Sequence, residues 1–191
     1  AALFLFKTRR NYQRFLAACF SAAFFGAGIF FPVLRLAAFL ARVFAAFFAA
    51  VKAGTIAVPL FAPELPGHAD RLEVALADSA PGLLLTTAAA AGAVEAFLGR
   101  LPGSCPPVIV IDAIGDVAAG DFVPVTIGED DVSHLQYSSG TTRPPTGIEI
   151  THRAFCTNLV QMILSIDLLN RNTHGVSWLP LYHDMGLSMI G

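Results

Sequence analysis

Tyr137-Ser-Ser-Gly-Thr-Thr-Arg-Pro-Pro-Thr-Gly147 is the stretch on which the reading of this 191-residue chain turns. It follows an apolar strand start, Val132–Tyr137, and packs four hydroxyl side chains around Gly140 before two prolines and Gly147 close the loop. Glycine lets a backbone approach an anion closely, and successive exposed N–H groups form an anion-binding nest to which hydroxyls add donors. It is not a Walker A loop, because six residues separate the glycines and Thr146 stands where Lys would precede the second. Ser, Gly and Pro are also the ordinary residues of a polar turn between strands, so composition leaves a phosphate cradle and a plain turn both open.

The order of residues separates the two. The loop resembles the ATP-binding loop of the adenylate-forming enzymes, approximately [ST]-[SG]-G-[ST]-T-G-x-P-K-G. Arg143 stands in place of the usual Gly and Thr146 in place of the usual Lys. Both departures resemble the fatty acyl-AMP ligase branch, whose loop reads S-G-S-T-R-x-P-x-G. Val176-Ser-Trp-Leu-Pro-Leu-Tyr-His-Asp-Met-Gly-Leu187 is similar to that branch's S-W-L-P-x-[FY]-H-D-M-G-L segment, and Lys52-Ala-Gly-Thr-Ile-Ala-Val-Pro-Leu60 to its K-A-G-x-[IV]-A-V-P-L strand start. The resemblance covers about residues 42–191 and is closest to the mycobacterial-type acyl-AMP ligases that feed lipid-assembling polyketide synthases.

The resemblance implies a function and a set of sites. The reaction would be ATP-dependent activation of a long-chain fatty acid to acyl-AMP, followed by transfer to an acyl carrier protein or polyketide synthase. Coenzyme A is the alternative acceptor, as in a long-chain acyl-CoA synthetase. Ser138, Ser139, Gly140, Thr141, Thr142, Arg143 and Gly147 would hold the ATP phosphates. Mg2+ would bridge those phosphates and prefers oxygen ligands. His183 would face the cleft near the phosphates and the acyl carboxylate as the catalytic candidate, with Tyr182 and Met185 near the acyl pocket. His183 and Asp184 could instead pair and cap a helix starting near Met185, as an Asp at a helix start does. Family members are far longer, and their adenine and ribose contacts, metal-binding Glu and catalytic Lys lie downstream of Gly191. The chain therefore reads as an N-terminal fragment or truncated product, expected not to turn over alone.

Bulk properties fit a single domain with a core. A net charge of −2 gives no electrostatic case for nucleic acid. Cys19, Cys105 and Cys156 are widely spaced, which argues against a zinc site or disulfide framework. They suit a reducing cytoplasm and read as small apolar core residues. No G-x-S-x-G elbow supports a serine hydrolase. Hydrophobic residues make up 55% and Phe occurs 16 times. Residues 15–34 carry no charge over a length that could span a bilayer, but Gly26, Gly28 and Pro32 interrupt them. A non-catalytic, membrane-associated remnant is therefore a competing reading; a degenerate soluble segment is preferred, with residues 1–40 as a hydrophobic N-terminal region and 41–191 as a partial AMP-binding domain.

The patterning predicts helices over 41–53, 68–79, 88–101 and 152–166, and strands over 55–60, 83–86, 108–112, 132–137, 147–151 and 175–179. Strands alternating with helices predict an α/β fold with a parallel sheet, here the N-terminal subdomain of an adenylate-forming enzyme. Trp178 reads as core and His152 as a surface or capping group. His68, His134 and His174 lack ligand spacing.

Overall fold

The computed structural model describes residues 2–7, 43–63, 69–114, 122–138, 144–166, 169, 179–180 and 183–190. In chain order the elements are β1 (Ala2–Lys7), α1 (residues 43–52), β2 (Ile56–Phe61), α2 (Ala69–Ser79), β3 (Leu83–Thr86), α3 (Ala91–Leu98), β4 (Val108–Val110), β5 (Val132–Tyr137), β6 (Gly147–Thr151), α4 (His152–Ser165) and α5 (Asp184–Ile190). The expected strand over 175–179, Trp178, His68, His174, Cys19 and the apolar stretch 15–34 lie outside the described residues. Within them, no helix is long and apolar enough to cross a membrane.

The strands form one sheet in the order β4-β3-β1-β2-β5-β6. The α/β class is as expected, but the sheet is mixed rather than parallel. β2–β5 and β3–β4 are parallel, whereas β1 runs antiparallel to both β2 and β3, and β5–β6 is an antiparallel hairpin. β1 produces most of the difference. Ala-Leu-Phe-Leu-Phe-Lys falls in the stretch expected as a hydrophobic N-terminal region, yet it pairs Leu5 with Val58 on one side and with Leu84 on the other. A short apolar run with no period of its own has its direction set by the partners available.

Side chains alternate across the sheet with the two-residue period of a strand, so each face buries its own core. Leu83, Leu85 and Ala57 pack with Phe47, Ala50, Phe155 and Leu187 from α1, α4 and α5. Leu84, Val58, Leu60 and Leu135 pack with Leu72, Ala75, Val94 and Phe97 from α2 and α3. The small residues of α1, with Ala46, Ala49 and Ala50 all buried, bring its backbone close to the sheet. Gly54 ends α1 at φ +66°, its N–H donating to Val51 O (3.1 Å) while Thr55 N–H donates to Ala50 O (3.0 Å); this is the Schellman arrangement that a left-handed residue permits.

Two boundaries differ from the pattern for local reasons. β4 stops at Val110, and a 3-10 turn takes over at Ile111–Ala113, where Asp112 Oδ2 accepts the Ala88 N–H at 2.5 Å. The alanine run from 88 has high helix propensity, yet residues 88–90 form a turn in which Ala90 N–H donates to Thr87 O, and α3 begins only at Ala91. Thr151 caps α4, accepting the Ala154 N–H at 3.2 Å. Arg153 then reaches back to Asp130 (3.0 Å) and Glu129 (2.5 Å), joining the acidic turn to the helix start. Cys105 and Cys156 are exposed rather than in the core.

His134 carried no functional weight in the sequence, and its place is structural. It is 4% exposed on β5, edge-on to Phe47 (centroids 5.4 Å) and Phe155 (5.1 Å), with Ser133 Oγ 3.1 Å from its Nδ1. Burial, and secondarily the nearby His152, pushes its pKa down to about 4. An unfolded chain protonates this imidazole from its ordinary 6.5 downward, whereas the folded chain holds it neutral until about 4. Stability is therefore complete above pH 6.5 and falls as the pH drops towards 4. We predict a loss of about 2 kcal/mol from His134 between pH 7.5 and pH 5, read as a fall in the urea midpoint. His134→Phe should flatten that dependence, and an unchanged pH slope in the variant would refute the assignment.

Candidate active site

β2 and β5 share a single registered pair, Ala57 opposite His134. Two residues on stands Pro59, which has no N–H to continue a ladder. Beyond that pair a cavity of about 380 Å3 opens, lined by Pro59, Leu60 and Phe61 from the end of β2 and by Gln136, Tyr137 and Ser138 from the end of β5. Arg71 and Ala75 of α2, Pro145 and Ile148 of the hairpin, and His183 and Asp184 at the start of α5 complete its described walls. The crevice beyond the carboxyl ends of parallel strands is where open α/β sheets bind ligands. A roomier groove of about 660 Å3, between α2, α3 and the proline-rich turn, is lined mainly by Leu76, Leu98, Leu101 and prolines, with Glu73 its one charged residue among those described. Chemistry rather than volume singles out the smaller cavity.

Ser138 and His183, 45 residues apart in sequence, meet in this cavity. Ser138 is also the stem of the hydroxyl-rich loop. Its N–H donates to Thr146 O and its Oγ accepts the Thr146 N–H, both at 3.1 Å. Thr146, at the position of the usual Lys, thus closes the loop through its backbone. Ser139, Gly140, Thr141, Thr142 and Arg143 lie outside the described residues, as does Tyr182. Met185 is 55% exposed and is not among the residues lining the cavity.

Gly147 pairs with Tyr137 across the hairpin. A Cβ at Gly147 would sit 3.0 Å from the Tyr137 ring and 3.4 Å from an Asp78 oxygen. The bare glycine lets the Tyr137 hydroxyl reach Asp78 Oδ2 at 2.7 Å, with Ala75 O at 3.3 Å. Burial first, and the Asp78 contact second, raise the Tyr137 pKa, so the phenol keeps its proton and donates. Sequence reasoning missed this latch between the loop stem and α2, because Tyr137 and Asp78 are 59 residues apart and neither has a spacing signal.

At the other wall, His183 Nδ1 pairs with Asp184 Oδ1. The same carboxylate accepts the Met185 N–H at 2.7 Å, and the His183 carbonyl accepts the Leu187 N–H. Asp184 thus takes the Met185 N–H at the start of α5 while both it and His183 line the cavity, and its bond to Nδ1 leaves Nε2 as the ring nitrogen open to a ligand. Gly186 sets the turn. A Cβ there would fall 2.0 Å from the carbonyl oxygen of Pro180, the oxygen that also accepts the His183 N–H. Among the described residues no cluster of three or more His, Cys, Asp or Glu could cage a metal ion.

The chain belongs to the AMP-binding enzyme family, whose profile matches residues 16–191. It is 46% identical over 144 residues to the long-chain-fatty-acid–AMP ligase FadD32 of Mycolicibacterium smegmatis, covering 74% of this chain and 23% of that protein. It is 36% identical over 150 residues to a 4-hydroxyphenylalkanoate adenylyltransferase of Mycobacterium tuberculosis, covering 75% of this chain and 24% of that protein. Among solved structures, the fatty acyl-adenylate ligase of L. pneumophila in complex with acyl adenylate and pyrophosphate superposes on 93% of this chain and 30% of its own, with a TM-score of 0.67 and 28% identity. The chain thus spans about a quarter of the length of the curated relatives it matches.

Two substitutions test the construction of the walls. Tyr137→Phe keeps the ring over Gly147 but removes the bond to Asp78, and should cost about 1 kcal/mol, read as a small fall in Tm. Gly186→Ala forces a methyl against backbone that no rotamer can clear, and should cost about 1–3 kcal/mol. A Gly186→Ala protein as stable as the parent would overturn the packing described for α5.

Proposed function

We propose that these residues form the phosphate-binding part of an enzyme that activates a long-chain fatty acid as acyl-AMP. The observation that carries the reading is the meeting of Ser138, at the stem of the hydroxyl-rich loop, with His183 in one cavity at the carboxyl ends of β2 and β5. The names of the relatives above support it.

In such a reaction a carboxylate oxygen bonds to the α-phosphorus of ATP and pyrophosphate leaves with the electrons of the broken P–O bond. Two anions must be held together and charge on the phosphates offset, so positioning and fixed dipoles carry the catalysis. Ser138, with Ser139, Gly140, Thr141, Thr142, Arg143 and Gly147, forms the proposed phosphate cradle; with Nδ1–H given to Asp184, His183 Nε2 donates to the reacting oxygens when the ring carries its second proton. Tyr182 and Met185 are assigned to the acyl side. Mg2+ is expected to travel with the phosphates, neutralising them through phosphate oxygens, which asks for no dedicated protein cage. The proposed acceptor is the thiol of an acyl carrier protein or polyketide synthase, with coenzyme A as its competitor. The exposed free thiols of Cys105 and Cys156 support a reducing, cytoplasmic setting.

The test uses the native polypeptide that carries these residues, with ATP, a long-chain fatty acid and Mg2+. Acyl-AMP and pyrophosphate should form in equal amounts, and holo-carrier protein should discharge the adenylate faster than coenzyme A does. Ser138→Ala and His183→Ala should each lower kcat/KM by about 100-fold. Failure to form acyl-AMP would sink the reading; faster discharge to coenzyme A would move the chain to the synthetase alternative.

A further inference from the structure

A polyphosphate needs positive charge, and the loop position that usually supplies a lysine holds Thr146. Its backbone is committed to Ser138, and its Oγ donates to Pro144 O (3.4 Å). Among the described residues lining the cavity, Arg71 alone carries a permanent positive charge. It projects from α2 on the face of Ala75 and Asp78, four and seven residues on, a spacing that aligns side chains along one stripe. Asp78, the acid of that stripe, is engaged by the Tyr137 hydroxyl. Asp184, the acid in the lining, is paired with His183. Arg71 is half-buried, and among the described residues it has no ion pair. A guanidinium partly withdrawn from water without a carboxylate has lost hydration for no return. Its planar fork matches two oxygens of a phosphate.

We propose that Arg71 is a phosphate-binding cation of this site, reaching from α2 to the polyphosphate oxygens of the nucleotide and to the pyrophosphate that leaves. The assignment rests on the acyl-adenylating reading of the cavity, and it places a charge contact on a helix some 65 residues before the loop motif.

Direct titration of the native polypeptide with inorganic pyrophosphate and with ATP tests it independently of turnover. Arg71→Gln should weaken both affinities at least tenfold, and Arg71→Lys, which keeps the charge but not the fork, should fall between. Glu73→Gln, exposed on the other side of α2, should leave both unchanged. In the unaltered protein, pyrophosphate should shield Arg71 from phenylglyoxal, read by mass spectrometry, which needs no variant to fold. In turnover, the KM for ATP should rise in Arg71→Gln while that for the fatty acid holds. A protein that forms acyl-AMP but shows no shielding and an unchanged ATP affinity in Arg71→Gln refutes Arg71 alone. A rise confined to the fatty-acid KM assigns the arginine to the carboxylate and also overturns the proposal. No acyl-AMP, with pyrophosphate binding still dependent on Arg71, refutes the reaction and leaves the contact standing.

Discussion

The ladder between β2 and β5 holds one registered pair, Ala57 opposite His134, and the cavity opens beyond it, at the carboxyl ends of the two parallel strands. Pro59 removes a donor from β2 just past the pair, and the β5–β6 hairpin carries Tyr137 and Ser138 onward into the loop. The sheet holds firmly below this point. Ala57 is fully buried, and His134 lies between Phe47 and Phe155. Above this buried floor lies the crevice at the strands' carboxyl ends, where open α/β sheets bind ligands.

The walls are then held by contacts of very different kinds. On the α2 side, the Tyr137–Asp78 bond ties the loop stem to a helix, and Gly147 provides the space for it. On the α5 side, Gly186 lets the helix lie against the Pro180 carbonyl, which fixes the turn carrying His183. Across the mouth, Ser138 and Thr146 clasp each other through two 3.1 Å bonds. The two glycines thus serve packing: each marks where a Cβ would push a polar group away from its partner. The exposed Arg153 bridges to the acidic turn are peripheral by comparison, since exposed ion pairs contribute little.

Charge in the cavity is arranged by exclusion. Each acid in or beside it already has a partner, Asp78 in Tyr137 and Asp184 in His183. Among the described residues lining it, that leaves Arg71 as the permanent charge without an ion pair. A cavity whose acids are engaged and whose arginine is not favours an anionic ligand.

The sequence by itself determined the local elements and the chemistry of the loop. Gly54 stops α1, Leu83–Thr86 forms a strand, Gly147–Thr151 leads into a capped α4, and Ser138 and His183 are singled out by the order of residues around them. Periodicity and turn chemistry act over a few residues, so those features are legible without a fold. Only the tertiary structure decided that β1 enters the sheet antiparallel between β2 and β3, that His134 is core and Cys105 and Cys156 are not, that Asp78 holds the Tyr137 hydroxyl, and that Arg71 lines the site. Strand direction and the burial of an isolated histidine depend on partners far along the chain. No short-range pattern records them, because the energy that selects them comes from packing between segments rather than from any one of them.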